Sequence, residues 1–144
     1  MRLAVFALGL AALAVASADA AAQERLPPPP PKAWVKIVSP KRAAVVPGKV
    51  EVKLDAQGVS IRAANGTRET GIGHHHLYLD MPVTPVGQTH AESGQLVHLA
   101  DGATSHVFFV TPGKHRIIAA VAYGNHVLME GVAQDTVDVV VGWK

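Results

Sequence analysis

Histidine is the residue type whose number and spacing in this sequence suggest chemistry. The chain has eight histidines among 144 residues, and three are consecutive at His74, His75 and His76. Along an extended strand alternate side chains point the same way, so the first and third rings of this run would share one face. Neutral imidazole is a good ligand for zinc and copper(II), and three or four convergent rings make a site. The run therefore suggests a divalent metal site.

Composition excludes several other kinds of chemistry. The chain has no cysteine, which excludes a disulfide framework, an iron–sulfur site, a thiolate zinc site and a cysteine nucleophile. No Gly-x-Ser-x-Gly motif is present, and we predict a binding domain rather than an enzyme. Copper(I) is disfavoured because Met81 and Met129 are the only methionines after Met1. The net charge of +2 and the absence of a basic run exclude nucleic-acid binding.

Short alternating runs, separated by Gly, Pro, Asn and Asp, predict strands and no amphipathic helix. In the second run Val50, Val52 and Leu54 lie on one face and charged residues on the other. Seven short strands over about 110 residues are typical of an immunoglobulin-like β-sandwich, which is the predicted all-β fold class. A barrel of similar strand count is the alternative. The predicted strands are residues 34–38, 49–55, 74–80, 96–99, 106–110, 115–123 and 135–141.

This strand order predicts where the histidines meet. Consecutive antiparallel strands place alternate loops at the same end of a sandwich. His74 begins the third predicted strand, His98 and His106 flank the loop after the fourth, and His126 follows the sixth. We therefore expect six of the eight histidines at one end, with His115 at the opposite end.

The residues leave two alternatives for the ligand set. Leu77 and Leu79 should face the core, which turns the middle histidine of the run inward and the outer two outward. The third predicted strand contributes either the outer pair of the triple histidine or its middle ring, and the histidines at positions 98 and 126 complete the site. Alternatively, the rings are structural hydrogen-bonding groups, and the domain is a structural or interaction module of the cell envelope without metal. The candidate ligands, for zinc or copper, are His74, His75, His76, His98 and His126.

Residues 1–22 have the layout of a secretory signal peptide, with Arg2 before an apolar stretch that ends in small residues. The small-x-small rule allows cleavage after Ala20 or Ala22, and we favour Ala22. An uncleaved anchor is the alternative, but the apolar stretch is short for a membrane span. We therefore expect a bacterial periplasmic or secreted protein with no membrane span after cleavage.

Proline content divides the rest of the chain. Residues 27–31 are five consecutive prolines, which hold an extended polyproline helix. We interpret residues 23–33 as a spacer, in preference to a docking motif for a proline-binding module. Residues 34–144 then form the sandwich domain.

The sequence Gly71-Ile72-Gly73-His74-His75-His76-Leu77-Tyr78-Leu79-Asp80 resembles the G-x-G-H-H-H-L-x-x-D motif of a small exported family, domain of unknown function 4399. The family also has a Pro-Gly-x-His turn, which this chain matches at residues 112–115, and a later segment that ends in histidine, here residues 123–126. The resemblance covers about residues 34–141. It implies an exported, sandwich-like domain with a histidine cluster, and it implies no activity.

The chain departs from the family pattern at two places. Residues 98–104 keep the histidine of a His-Phe-Gly-Gly-Gly-Gln-Thr stretch but not its glycine-rich turn. Gly124 stands where relatives tend to have Asp.

We expect the exported protein to begin at Gln23. Mass spectrometry of protein recovered from the periplasm should give a mass that corresponds to cleavage after Ala22. An intact Met1 on the recovered protein would show that the signal-peptide interpretation is wrong.

Overall fold

The computed structural model describes residues 33–143, and these form strands, turns and loops without a helix. The predicted signal peptide and the proline run lie outside the described residues. Within residues 33–143 no helix is long and apolar enough to cross a membrane. The strands are β1 (Trp34–Ser39), β2 (Val45–Val46), β3 (Lys49–Gln57), β4 (Ser60–Ile61), β5 (Ile72–Leu79), β6 (Leu96–His98), β7 (Ser105–Phe109), β8 (Gly113–Ala122) and β9 (Asp135–Val141).

The strands form two sheets that pack face to face. The smaller sheet has the order β1-β3-β7, and all its pairs are antiparallel. The larger sheet has the order β2-β9-β8-β5-β4, and β6 also pairs with β5. This is an immunoglobulin-like β-sandwich, and the predicted fold class is confirmed.

All seven predicted strands are present, each within two residues of its predicted bounds. Two further strands, β2 and β4, have two residues each and were not predicted, because so short a segment shows no alternation. Both pair in parallel, β2 with β9 and β4 with β5. The predicted arrangement of alternate loops at one end holds for the longer strands.

The main core lies between the sheets and follows from the period-two pattern. Val50, Val52 and Leu54 of β3 are buried there, and β9 contributes Val137 and Val139 in the same way. Burial of one such side chain stabilises the fold by roughly 1.5–3 kcal/mol. The valine-rich faces therefore supply a core without disulfides.

A second apolar cluster covers the outer face of the larger sheet. Tyr78 of β5 packs there with Leu96, Ala120 and Leu128. The Tyr78 hydroxyl donates a hydrogen bond of 3.0 Å to Thr84 Oγ1, which anchors the segment that follows β5 over this face. As a result β5 is buried on both faces, and residues 73–79 are all buried.

His75 points into the main core. It shares a face of β5 with Leu77 and Leu79, it is fully buried, and neither ring nitrogen has a hydrogen-bond partner among the described residues. Burial lowers the pKa of His75 to about 4, and the charge of Asp55 opposes this shift only partly. The ring is therefore neutral at pH 7.

We expect His75→Leu to make the metal-free protein less sensitive to acid. An unfolded histidine has a pKa of about 6.5, so between pH 6.5 and 4 the unfolded state binds more protons, and stability falls with falling pH. Each such histidine contributes about 1.4 kcal/mol per pH unit in this window. With chelator present, urea unfolding should show a loss between pH 7 and pH 5 that is about 2 kcal/mol smaller in His75→Leu than in the wild type.

His90 lies exposed in the segment between β5 and β6 and provides the control. His90→Leu should keep the wild-type dependence of stability on pH. Equal acid sensitivity of His75→Leu and the wild type would contradict this account of the core histidine.

Candidate metal centre

Three imidazole rings converge on the outer face of the larger sheet. Their ligand nitrogens all lie within 4.8 Å of one another. His74 Nε2 is 3.1 Å from His126 Nδ1 and 3.0 Å from His76 Nε2. His74 and His76 are on β5 and are fully buried or nearly so, whereas His126 is half-buried.

Local structure explains why these rings meet. His74 and His76 are two residues apart on β5, so they share its outer face with Tyr78. His126 reaches them from the β8–β9 connection, where its backbone has φ of 65°. Its amide donates a hydrogen bond of 2.9 Å to the Tyr123 carbonyl, which closes the turn that carries the ring.

A fourth ring completes the cluster. His98 of β6 lies opposite His76 of β5 in the antiparallel ladder. The two rings are stacked, with centroids 4.1 Å apart and an interplanar angle of 13°. His98 also stacks on His126, at 4.8 Å and 29°. The Nε2 atom of His98 is buried without a hydrogen-bond partner among the described residues.

The hydrogen-bonding capacity of the cluster is not met by its own members. A nitrogen of a neutral imidazole carries either one proton or one lone pair. His74 Nε2 therefore makes one regular hydrogen bond, yet it has two nitrogen neighbours within 3.1 Å. Its other ring nitrogen, Nδ1, is buried without a partner in the described part of the chain. A group that accepts several lone pairs at once would resolve this arrangement.

Electrostatics keep the rings neutral. Burial, followed by repulsion from His126 and other rings of the cluster, lowers the pKa of His74 to about 4. Burial and the charges of His98 and the other rings lower the pKa of His76 to about 2. Burial also lowers the pKa of His98. At pH 7 each of these three rings is neutral and has one nitrogen with a free lone pair, the form in which imidazole binds metal.

The structure brings together four of the five predicted ligands. His74, His76 and His126 present nitrogens to one point, and His98 stacks beside them. His75 is not part of the group, because it occupies the opposite face of β5. Of the two alternatives left open by the sequence, the geometry therefore favours the outer pair. Side chains alternate between the two faces of a strand. In the sequence, the apolar residues Leu77 and Leu79 indicate which face lies against the core, and therefore where His75 points.

Two glycines that are close in sequence to cluster histidines are tightly packed. A Cβ atom on Gly73 would collide with the carbonyl oxygen of Ala122 and would lie 2.8 Å from Val121 Cγ1. Gly124 lies close to Asn65 and Thr67, in the connection between β4 and β5. The amide of Gly66 in that connection also donates a 3.0 Å hydrogen bond to the Gly124 carbonyl. The sequence contains no signal for these contacts, because they join residues distant in the chain.

A cavity of about 810 Å³ lies near the opposite end of the same sheet, around His115. His115 Nδ1 donates to Asp80 at 2.6 Å and Nε2 donates to the Thr111 carbonyl at 2.8 Å. The hydrogen bond to Asp80 raises the pKa of this ring. Arg116 pairs with Asp138 at 2.7 Å. These groups satisfy one another, unlike the cluster nitrogens, so we place the candidate site at the cluster.

The fold and the cluster define this chain as a β-sandwich domain with a histidine centre at one end. Residues 52–142 match the family described as Domain of unknown function (DUF4399). The match spans more than half of the chain, which therefore belongs to this family, and the membership predicted from the sequence is confirmed.

Comparison with other proteins gives one structural likeness. A solved structure described as fibronectin(III)-like modules of Clostridium thermocellum CbhA matches with 14% identity and a TM-score of 0.47. The match covers 74% of this chain and 94% of that chain. No curated protein matches the chain.

We expect Gly73→Ala to destabilise the domain by about 1–3 kcal/mol, because the added methyl group overpacks the junction of β5 and β8. Urea unfolding measures the change. Gly94→Ala is the matched control, since a Cβ there meets nothing within 4 Å. It should change stability by less than about 1 kcal/mol. Equal stability of the two variants would contradict the close contact at Gly73.

Proposed function

We propose that the domain binds a divalent transition-metal ion, zinc or copper(II), through His74, His76 and His126. The observation that carries the proposal is the convergence of three imidazole nitrogens on one point, two of them on rings, His74 and His76, whose pKa burial lowers well below its usual value. The set contains no thiolate and no carboxylate, and all-nitrogen ligation of this kind suits zinc and copper(II).

The nitrogen positions are close to those that an ion requires. A tetrahedral ion with bonds of about 2.0–2.1 Å places its ligand nitrogens about 3.3 Å apart. Two of the three contacts are 3.0 and 3.1 Å, and the whole set spans no more than 4.8 Å. Small side-chain rotations bring the set to this geometry. An ion would also accept the lone pairs that the rings cannot share among themselves.

Backbone conformation at His126 supports a ligand role. Its φ of 65° lies in the left-handed region, which glycine adopts freely and which asparagine, aspartate and histidine adopt more often than other residues with a Cβ. A residue with a Cβ in this region carries a cost of order 1 kcal/mol. Binding of an ion through His126 would offset this small cost.

The proposal also includes the place where the domain acts. The layout of residues 1–22 supports export to the periplasm or beyond the cell. In that compartment the domain would act as a binding module rather than as an enzyme. A structural or interaction module without metal is the alternative, and the experiment below distinguishes the two.

We expect His126→Asn to abolish metal binding without weakening the metal-free fold. The protein is purified without a polyhistidine tag, stripped with chelator and titrated with zinc or copper(II). The wild type should bind one ion and gain about 2.7 kcal/mol of stability when free metal is a hundred times the dissociation constant. His126→Asn should show no such gain, and its metal-free stability should equal or exceed that of the wild type, because asparagine tolerates the left-handed turn.

His90→Asn is the matched control and should retain the full metal-dependent gain. Absence of any gain in the wild type would refute the proposed function. A His126→Asn protein that is markedly less stable without metal would favour the structural alternative.

A further inference from the structure

His98 belongs to the cluster but is not oriented as a ligand. Its ring is nearly parallel to that of His76, at an angle of 13° and a centroid distance of 4.1 Å. A metal ion lies in the plane of the imidazole that binds it, along the lone pair. An ion bound by His76 would lie in the plane of the His76 ring. It would therefore lie out of the plane of the His98 ring, by about the distance between the two stacked rings. Both rings cannot bind one ion in this arrangement.

Three protein ligands leave one position of a four-coordinate ion open. Zinc sites with three protein ligands hold water or an exchangeable molecule in the fourth position, whereas closed structural sites have four protein ligands. His74 and His76 are 0% and 2% exposed, so solvent does not reach the group from the side of β5. His126 and His98 are only half-buried, so an exchangeable molecule would reach the ion from the side of these two rings.

The surroundings of this position indicate what it accepts. Three neutral imidazoles would leave the double positive charge of the ion without a ligating carboxylate, since none of the described residues adds one to the set. Glu92 is near His98, but its carboxylate accepts a hydrogen bond of 3.2 Å from the His98 backbone amide. His98 Nε2 is buried without a hydrogen-bond partner among the described residues, so it would be free to form a hydrogen bond to a molecule in this position. The chemistry favours a small anion with a hydrogen-bonding atom.

We infer that the fourth coordination position binds a small exchangeable anion in place of water, with His98 as its hydrogen-bond partner. This inference rests on the proposed function, since it requires an ion on the three histidines. It adds a ligand to that ion and makes His98 a positioning residue rather than a metal ligand.

The test uses cobalt(II) as a visible spectroscopic probe and sodium azide as the anion. The metal-free protein, purified without a tag, is loaded with cobalt(II) and then titrated with azide. The wild type should bind one cobalt(II), and its visible spectrum should shift to saturation as azide is added.

Two substitutions at His98 separate its roles. His98→Phe keeps a stacked ring without nitrogens, and it should bind cobalt(II) within about threefold of the wild type while azide affinity falls about tenfold, the effect of one hydrogen bond to a charged group. His98→Gln offers an amide for the same hydrogen bond and should recover most of the azide affinity. His106→Phe on β7 is the matched control and should behave as the wild type.

Each contrary outcome has a distinct meaning. If His98→Phe loses cobalt(II) affinity a hundredfold and the wild-type spectrum ignores azide, His98 is a fourth ligand and the inference is overturned, while the proposed metal site stands. If azide binds equally to the wild type and to His98→Phe, the role given to His98 is overturned. If the wild type binds no cobalt(II), zinc or copper(II), the proposed function fails and this inference fails with it.

Discussion

Burial of β5 on both faces is the constraint on which the rest of the structure depends. One face of this strand lies against the main core, and the other lies beneath the segment anchored by the hydrogen bond from Tyr78 to Thr84. A strand covered twice normally carries apolar residues, because a buried polar group without a partner costs about 1–3 kcal/mol. Here the covered strand carries three histidines, and their surroundings follow from this placement.

Burial gives the two faces different chemistry. On the core face a single ring is isolated among apolar side chains, so its only response to burial is to stay neutral. On the outer face two rings of β5 meet others that come from β6 and from the β8–β9 connection. The same strand thus places one neutral histidine in the apolar core and two where neutral rings with free lone pairs would suit a metal ion.

The sequence predicts the fold well because its long strands alternate cleanly. The pattern of Val50, Val52 and Leu54 specifies which face is buried, and the loop order then brings His98 and His126 to the end of the sandwich that holds the triple histidine. Strand alternation also predicts that His75 turns away from its neighbours. Both short parallel strands escape prediction, since a two-residue segment has no periodicity. The stacking of His98 depends on side-chain rotation, and sequence contains no signal for that rotation.

The position of the ligands along the chain has a mechanical consequence for a domain without cysteine. His74 and His126 are 52 residues apart, and they belong to segments that separate when the domain unfolds. An ion held by both would act as a reversible cross-link. For a covalent link that closes a loop of this length, the loss of chain entropy in the unfolded state amounts to about 4 kcal/mol. Metal supply would then set the resistance of the domain to proteolysis and to pulling forces, a role that disulfides perform in many extracellular proteins.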